Sequence, residues 1–503
     1  MKFYNIGQTL ENLIRNDICR PFVRVEIDRA KTGEYEYLSD SDIEECSITS
    51  YKEKTGGIVN CGVLVLSNEF NQYSPLLNPD LVPGIQFHIW YCMGNNYNSF
   101  LRFSLYADDS GFQCYGNGKD KKVLIRLVDY SYYLKQSNKE RDWTSDLVVA
   151  HSVICDKTNP NESLFHRIAE RGGLQDTDID CAYLPFTLPY VRITENVWSE
   201  LSLLASAYKA HLECSKDRMI TFAHSRYDTD YEEESPIGFT LTDEDVFEYR
   251  KFVATDRYKN TLRMKWTKYK EIERTVLWKY HDEPVLYDEN IEPYYPFIPR
   301  TRDIEKYENY EAPYTYTDPE GKNHTVVYAE DIDTQEDFEA NLLYEGSSID
   351  VKKYNTTLHT DKALVQLEAS GPVNLRQAII HGKGIIPQHN YSHFISDVSE
   401  VENRGTKALN ITNKYMSDDE LNGRPFYEMW AEDTLQELKD VRRGYFIKTN
   451  KALFHARAGA CIQIELSDAC GISEQKALIE ELVLRYKKSE AFETAMTVLS
   501  TGV

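Results

Sequence analysis

The 503-residue sequence predicts a mixed, β-rich fold: two or more small antiparallel β-barrels with interleaved α+β segments. Three observations predict it. Over residues 22 to about 135, short apolar–polar alternations are separated by turn dipeptides. Two amphipathic helical stripes then interrupt the strands, and after residue 347 strand patterns return around a single helix. A chain of this length exceeds one compact core, which stops growing at roughly 250–300 residues. Four segments follow: 1–140 as an N-terminal β-barrel, 141–250 as an α+β segment, 251–346 as strands plus an acidic Tyr-rich excursion, and 347–503 as a β-rich part with one helix and a terminal small barrel.

In the first segment Val23, Val25 and Ile27 alternate with Arg24, Glu26 and Asp28, the period of a strand with one buried face. Strands follow at Ile58–Leu66, Gly84–Tyr91, Phe100–Tyr106 and Val123–Val128. Gly56-Gly57, Pro83-Gly84, Ser110-Gly111 and Asn117-Gly118 mark the turns between them. In the second segment Asn161 is placed to cap a helix carrying Leu164, Phe165, Ile168 and Ala169 on one face, ended by Gly172-Gly173. A second helix is expected from Asn196 to Glu213, with Val197, Leu201, Leu204 and Tyr208 as its stripe, leading into a strand at Arg218–Phe222.

The third segment opens with Leu262, Met264 and Trp266 alternating with polar neighbours, and Thr275–Tyr280 reads as their hairpin partner. From His281 to Gly346 the chain is rich in Tyr, Pro, Asp and Glu without periodicity, and reads either as a wrapping excursion or as a mobile loop. The fourth segment offers strands at Ile349–Tyr354, Ala363–Leu367 and Leu375–Ile380. Pro425 at a first helical position opens an expected helix with Ala431, Leu435 and Leu438 on one face, closed by Gly444, and strands follow at Tyr445–Lys448 and Ala460–Leu466. Residues Ala477–Tyr486 suit a helix by composition and a hairpin by position.

The charge balance is −24. It argues against ordinary nucleic-acid binding, which needs a basic footprint, and against an anionic membrane surface. Acidity serves solubility, or it lines a channel past which DNA slides without sticking. The 36 Tyr suit half-buried pleated surfaces and interfaces. Ten Cys without a CxxC pair, several of them (Cys46, Cys61, Cys461) inside apolar runs, read as buried reduced thiols. The opening Met-Lys-Phe-Tyr-Asn-Ile-Gly lacks the pattern of a signal peptide, and no stretch is apolar for long enough to span a membrane.

Little in the chain points to catalysis. His389 and His393 have metal-ligand spacing only on a helix, whereas Pro387 and the intervening Asn and Ser favour a loop, and no third ligand presents itself. Gly116-Asn-Gly-Lys119 and Gly382-Lys-Gly384 faintly resemble phosphate loops, but no helix pattern follows either, so both read as hairpin turns. Asp40-Ser-Asp42 and Asp228-Thr-Asp230 could hold a hard cation, yet neither continues into a calcium loop. Trp198 and Trp266 fall on core-facing positions. The expectation is a non-enzymatic protein with no catalytic, cofactor or metal residues; a carbohydrate-binding or carbohydrate-active β-protein is the alternative.

Three stretches, in this order, resemble the tail hub or baseplate hub proteins of tailed phages and related contractile injection machines. They are Gly62-Val-Leu-Val-Leu-Ser-Asn68 with Leu81-Val-Pro-Gly84-Ile-Gln-Phe-His-Ile89; the pair Ser163–Leu174 and Val197–Ala205; and the helix ending at Arg443 with Tyr445-Phe-Ile447 and Leu453–Leu466. The resemblance tips Ala477–Tyr486 and Ala491–Leu499 towards paired strands. It implies a homotrimeric ring in a virion, assembled in the bacterial host cytoplasm, in which two similar barrels per chain let a six-fold tube meet a three-fold tip. The implied partners are tail tube or distal tail proteins, the tape measure protein and tip or spike proteins, with DNA only in passing and no stable membrane association. The excursion at 281–346 departs from the family's pattern.

Overall fold

The computed structural model describes residues 4–16, 20–29, 31–53, 56–137, 147–214, 220–223, 237–255, 257–279, 302–303, 308–355, 361–371, 373–439, 443–467 and 474–500. A helix, α1 (Gln8–Asn16), precedes six longer strands, β1 (Pro21–Asp28), β2 (Ile43–Lys52), β3 (Gly57–Ser67), β4 (Gln86–Met93), β5 (Asn95–Tyr115) and β6 (Lys122–Val128), and the two-residue strand Glu36–Tyr37 that pairs with β1. The six pair antiparallel in the order β1-β4-β5-β6-β3-β2. The alternation Val23, Val25, Ile27 turns those three side chains inward, all at 2% exposure or less.

The chain then changes texture. Strands β7 (Leu147–Cys155) and β8 (Leu184–Ile193) form their own antiparallel pair, flanked by α2 (Leu164–Glu170) and α3 (Val197–Ala207). Helix α2 is shorter than expected because Pro160–Glu162 forms a 3-10 turn, so Ser163 rather than Asn161 stands at the N-cap. Asn196 does cap α3, accepting from the Ser199 amide. That helix ends at Ala207, not Glu213. Lys209 takes a positive φ, and His211–Cys214 leaves the helix as strand β9, whose four residues are all buried. Pairing with Gly57 and Ile58 of β3 and with β10 (Ile220–Ala223) satisfies its backbone better than a helix end could.

Two strands follow, β11 (Thr240–Thr242) and β12 (Val246–Val253), and then β13 (Thr261–Lys279). Residues Thr275–Lys279 are no hairpin partner of Leu262–Trp266; both belong to this one strand. Its partner is β14 (Ile379–Ser396), in antiparallel register from Thr261↔Ser396 to Lys279↔Ile379. This long ribbon crosses two cores. Leu262, Met264 and Trp266 pack with α2, α3 and the apolar face of α4 (Phe426–Lys439). Ile272 and Leu277 pack with Tyr314, Phe338, Val365 and Leu367 in a further core. Residues 308–346 are therefore folded: five short strands and the helix Gln335–Ala340 surround this core, although the stretch lacks periodicity. Residues 281–301 and 304–307 of the expected excursion lie outside the described residues, as do Arg218 and Met219 of the strand expected there.

The C-terminal strands are β15 (Arg443–Thr449), β16 (Cys461–Glu465), β17 (Gln475–Lys487) and β18 (Glu493–Ser500). Ala477–Tyr486 is thus a strand: every second side chain from Ala477 is buried as far as the bulge at Glu480, and again from Leu482. Gly444 does not close α4 but sits within β15. A Cβ there would come within about 2 Å of the Phe252 ring lying across it from β12. With β11 and β12 these strands make a second block of six, ordered β12-β15-β18-β17-β16-β11. The two blocks are one sheet. β2 pairs antiparallel with β17 from Glu45↔Lys487 to Tyr51↔Glu481, although about 430 residues of chain separate them. They also share one core, in which the Tyr91 ring stacks on Phe454 at 5.5 Å beside Phe492. The architecture is β-rich and mixed, with several antiparallel sheets.

Candidate assembly site

A buried polar cluster lies where four distant parts of the chain meet. Strand β9 carries Glu213 inward, at 1% exposure. The Tyr4 hydroxyl donates to Glu213 Oε1 at 2.7 Å; His211 Nε2 lies 3.1 Å and Arg457 Nη1 3.7 Å from Oε2. Arg102, from β5, donates through Nη2 to the Ala456 carbonyl at 3.2 Å. Its guanidinium stacks 4.4 Å from the Tyr4 ring, and Arg457 lies 4.7 Å from that ring. The Tyr4 amide donates to the His455 carbonyl at 3.0 Å. The N-terminal segment, the first strand block, the α+β segment and the loop before β16 are therefore tied at one point.

Burial pushes the Glu213 carboxyl up. The hydrogen bond and charge of His211, with the charges of Arg102 and Arg457, more than offset this and hold it at about 2. Burial raises the Tyr4 phenol to about 12 and lowers His455 to about 4. The gap lined by Asn60, Arg102, Ser104 and Glu213 has room for about one water molecule. This arrangement holds chain segments together.

A second lock secures α4. Glu200 on α3 is fully buried and accepts from Tyr415 Oη (2.5 Å), Lys414 Nζ (2.7 Å) and the amides of Thr194 (2.9 Å) and Glu195 (2.8 Å). Burial raises this carboxyl, but the Lys414 and Tyr415 hydrogen bonds bring it below its ordinary value. Tyr208 donates to the Tyr415 carbonyl at 2.9 Å and stacks on Phe426 at 5.1 Å.

The outer surface differs in character. The connection from β3 to β4 exposes Phe70 (79%), Leu76 (94%) and Leu77 (66%). It is held by ordered contacts: the Tyr73 amide donates to Asn68 Oδ1 (2.9 Å), Tyr73 Oη to Asp42 Oδ2 (2.8 Å), Asn78 Nδ2 to the Gln72 carbonyl (2.9 Å) and Lys121 Nζ to Asn71 Oδ1 (3.1 Å). The hydrogen bonds hold the loop with three large apolar side chains in water.

The motifs singled out from sequence come to rest apart from these features. Residues 389–393 belong to β14, paired with Met264–Lys268, so they form neither a loop nor a helix. Four residues of strand separate their Cα atoms by about 13 Å, too far for helix-type metal spacing. The His393 ring meets the edge of Tyr427. Among the described residues no group of three or more His, Cys, Asp or Glu could hold a metal ion. Gly116–Lys119 is a turn between β5 and β6, as expected, with Gly116 and Gly118 at positive φ.

Gly382 and Gly384 make no hairpin turn. They lie inside β14, where a Cβ would meet Leu277 and the Glu330 carbonyl, or Val326 and the Tyr328 carbonyl. Asp42 supports the apolar loop, and Asp40 is exposed; Asp228 and Asp230 lie outside the described residues. Trp198 and Trp266 are core residues whose indoles donate to Glu53 (2.7 Å) and Asp418 (2.9 Å). Cys46 and Cys461 are buried and Cys61 is partly so, all three as free thiols. Among the described residues no helix is long and apolar enough to cross a membrane.

These features describe a β-rich chain whose interior polar groups tie segments together and whose surface exposes several large apolar side chains. No protein-family model and no curated protein sequence matches it. Solved structures do. The chain is similar over 95% of its length to 96% of the tail protein from Neisseria meningitidis, at 9% identity and a TM-score of 0.49. It is similar over 95% to 98% of the 43 kDa tail protein of prophage MuSo2 from Shewanella oneidensis, at 9% identity and a TM-score of 0.46. The E. coli c3393 protein, a component of the type VI secretion system, matches over 95% of this chain and 77% of its own, at 9% identity and a TM-score of 0.38.

Proposed function

We propose that the chain is a structural hub protein at the tip of a phage tail, three copies of which form a ring around the path of the tape measure protein and DNA. The observation that carries this reading is the joining of the two six-strand blocks through β2 and β17. Two side-by-side β units per chain give six units around a three-fold axis, so one face of such a ring can meet a six-fold tube and the other a three-fold tip. The Glu213 junction ties the N-terminal segment, the α+β segment and the loop before β16 together, which supports a chain of defined shape for such a ring. The exposed Phe70, Leu76 and Leu77 supply a contact for a neighbouring subunit or a tube protein. Segments 1–140, 141–250, 251–346 and 347–503 serve as the chain's working units, interleaved in space; limited proteolysis that cuts elsewhere first would redraw them.

In this reading the protein has no catalytic role, binds no cofactor and resides in the virion after assembly in the host cytoplasm. The test is imaging of the purified oligomer, where a ring with three-fold symmetry and a central opening is expected. A glycan array or reducing-sugar assay separates the carbohydrate alternative: specific glycan binding or hydrolysis, with no ring, would replace the hub reading.

A further inference from the structure

Strand β12 poses a problem that the described residues do not solve. Among the described residues it pairs only with β15, leaving its other edge open over eight residues. Both faces are wet as well: Phe247 is 54% exposed, Val253 52%, Tyr249 39% and Phe252 37%. A long, open, aromatic edge is a template for another strand, and folded chains cover such edges.

The sequence of the strand, Val-Phe-Glu-Tyr-Arg-Lys-Phe-Val, shows which strand fits. Two copies related by a two-fold axis must pair antiparallel with each sheet face preserved, so only registers joining residues of equal parity are possible. Centring on Glu248 sets two carboxylates against each other, and centring on Arg250 sets two guanidinium groups together. Centring on Tyr249 gives complementary pairs over the regular part of the strand, which begins beyond the bulge between Val246 and Glu248. Glu248 faces Arg250 of the partner subunit twice, and Tyr249 meets itself on the axis. Glu248 and Arg250 already form an ion pair at 3.0 Å within one chain, so both side chains lie on one face and can exchange partners across the axis.

We infer that the open edge of β12 is a self-recognition strand, pairing antiparallel with β12 of a second copy about a two-fold axis through Tyr249. The contact is independent of the ring. A chain that forms no ring alone gives a dimer; three-fold rings give back-to-back pairs of rings. Either way the mass of the free protein is an even multiple of the 58.4 kDa subunit.

The test is charge exchange on the full chain, read by native mass spectrometry. Glu248→Arg and Arg250→Glu each set like charges across the axis and weaken pairing at least about tenfold, which halves the assembly. Mixing the two variants restores the contact, because every pair in the mixed species is then of opposite charge, and the product contains equal numbers of both chains. Since Glu248 also pairs with Lys448, the double variant Glu248→Arg/Arg250→Glu serves as the folding control and pairs by itself. An odd-numbered wild-type assembly, or single variants that pair as wild type does, would overturn the proposal. A three-fold ring of odd copy number would remove the β12 contact while keeping the hub reading; a charge-sensitive dimer that never forms rings would do the reverse.

Discussion

Replacing Glu213 by Gln tests whether the polar junction holds the strand blocks together. The substitution keeps the volume and the hydrogen bond from Tyr4, but leaves Arg102 and Arg457 beside an uncharged, buried partner. The distance between an ordinary glutamate near 4.5 and the value of about 2 held here corresponds to ~3 kcal/mol favouring the charged form. Breaking a buried ion pair from one side costs a similar ~3–5 kcal/mol. A lowered carboxyl contributes stability that is complete above pH 4.5 and fades as the pH falls towards 2. Denaturant unfolding followed by tyrosine and tryptophan fluorescence should therefore show Glu213→Gln weaker by ~3 kcal/mol at pH 7. The gap to wild type should narrow steadily below pH 4.5 and close near pH 2. A variant within ~0.5 kcal/mol of wild type at pH 7, or a deficit that ignores pH, would refute the reasoning.

Three further outcomes are expected. Glu200→Gln removes the charge that Lys414 and two backbone amides face, so its denaturant midpoint should fall by the equivalent of ~3 kcal/mol; Glu200→Asp, which keeps the charge but retracts it, should lose less. Gly444→Ala forces the Phe252 ring off its seat and should cost ~1–3 kcal/mol in thermal unfolding, while Phe252→Ala in the same background should recover part of it. Leu76→Ser with Leu77→Ser should leave the unfolding midpoint within ~0.5 kcal/mol of wild type yet reduce the yield of assembled particles in a complementation assay.

The strands of the two six-strand blocks were legible because each buries one face. Val23, Val25 and Ile27, or Ala477 and Ile479 with Leu482 and Leu484 beyond the bulge, write that burial into the sequence at a period of two. Their pairing was not legible. Nothing local in Ser47 or Arg485 says that they meet across hundreds of residues, since register at an internal seam is set by the shared core. The polar junction was hidden for a related reason. Glu213 closes the helix expected from the amphipathic stripe, and only the pairing of β9 with β3 turns it inward to Tyr4 and Arg457. Residues 308–346 concealed their fold because four of their five strands have only three or four residues, too few to show a period. Gly382 and Gly384 looked like turn residues because glycine serves both tight turns and close approaches.

The central claim, that three copies of this chain enclose a channel, is tested most directly by electron microscopy of the purified oligomer with its mass measured in solution. The account predicts a particle with a three-fold axis and a central opening, made of a multiple of three subunits of 58.4 kDa. A solid particle without a three-fold axis, or a chain that stays monomeric, would contradict it.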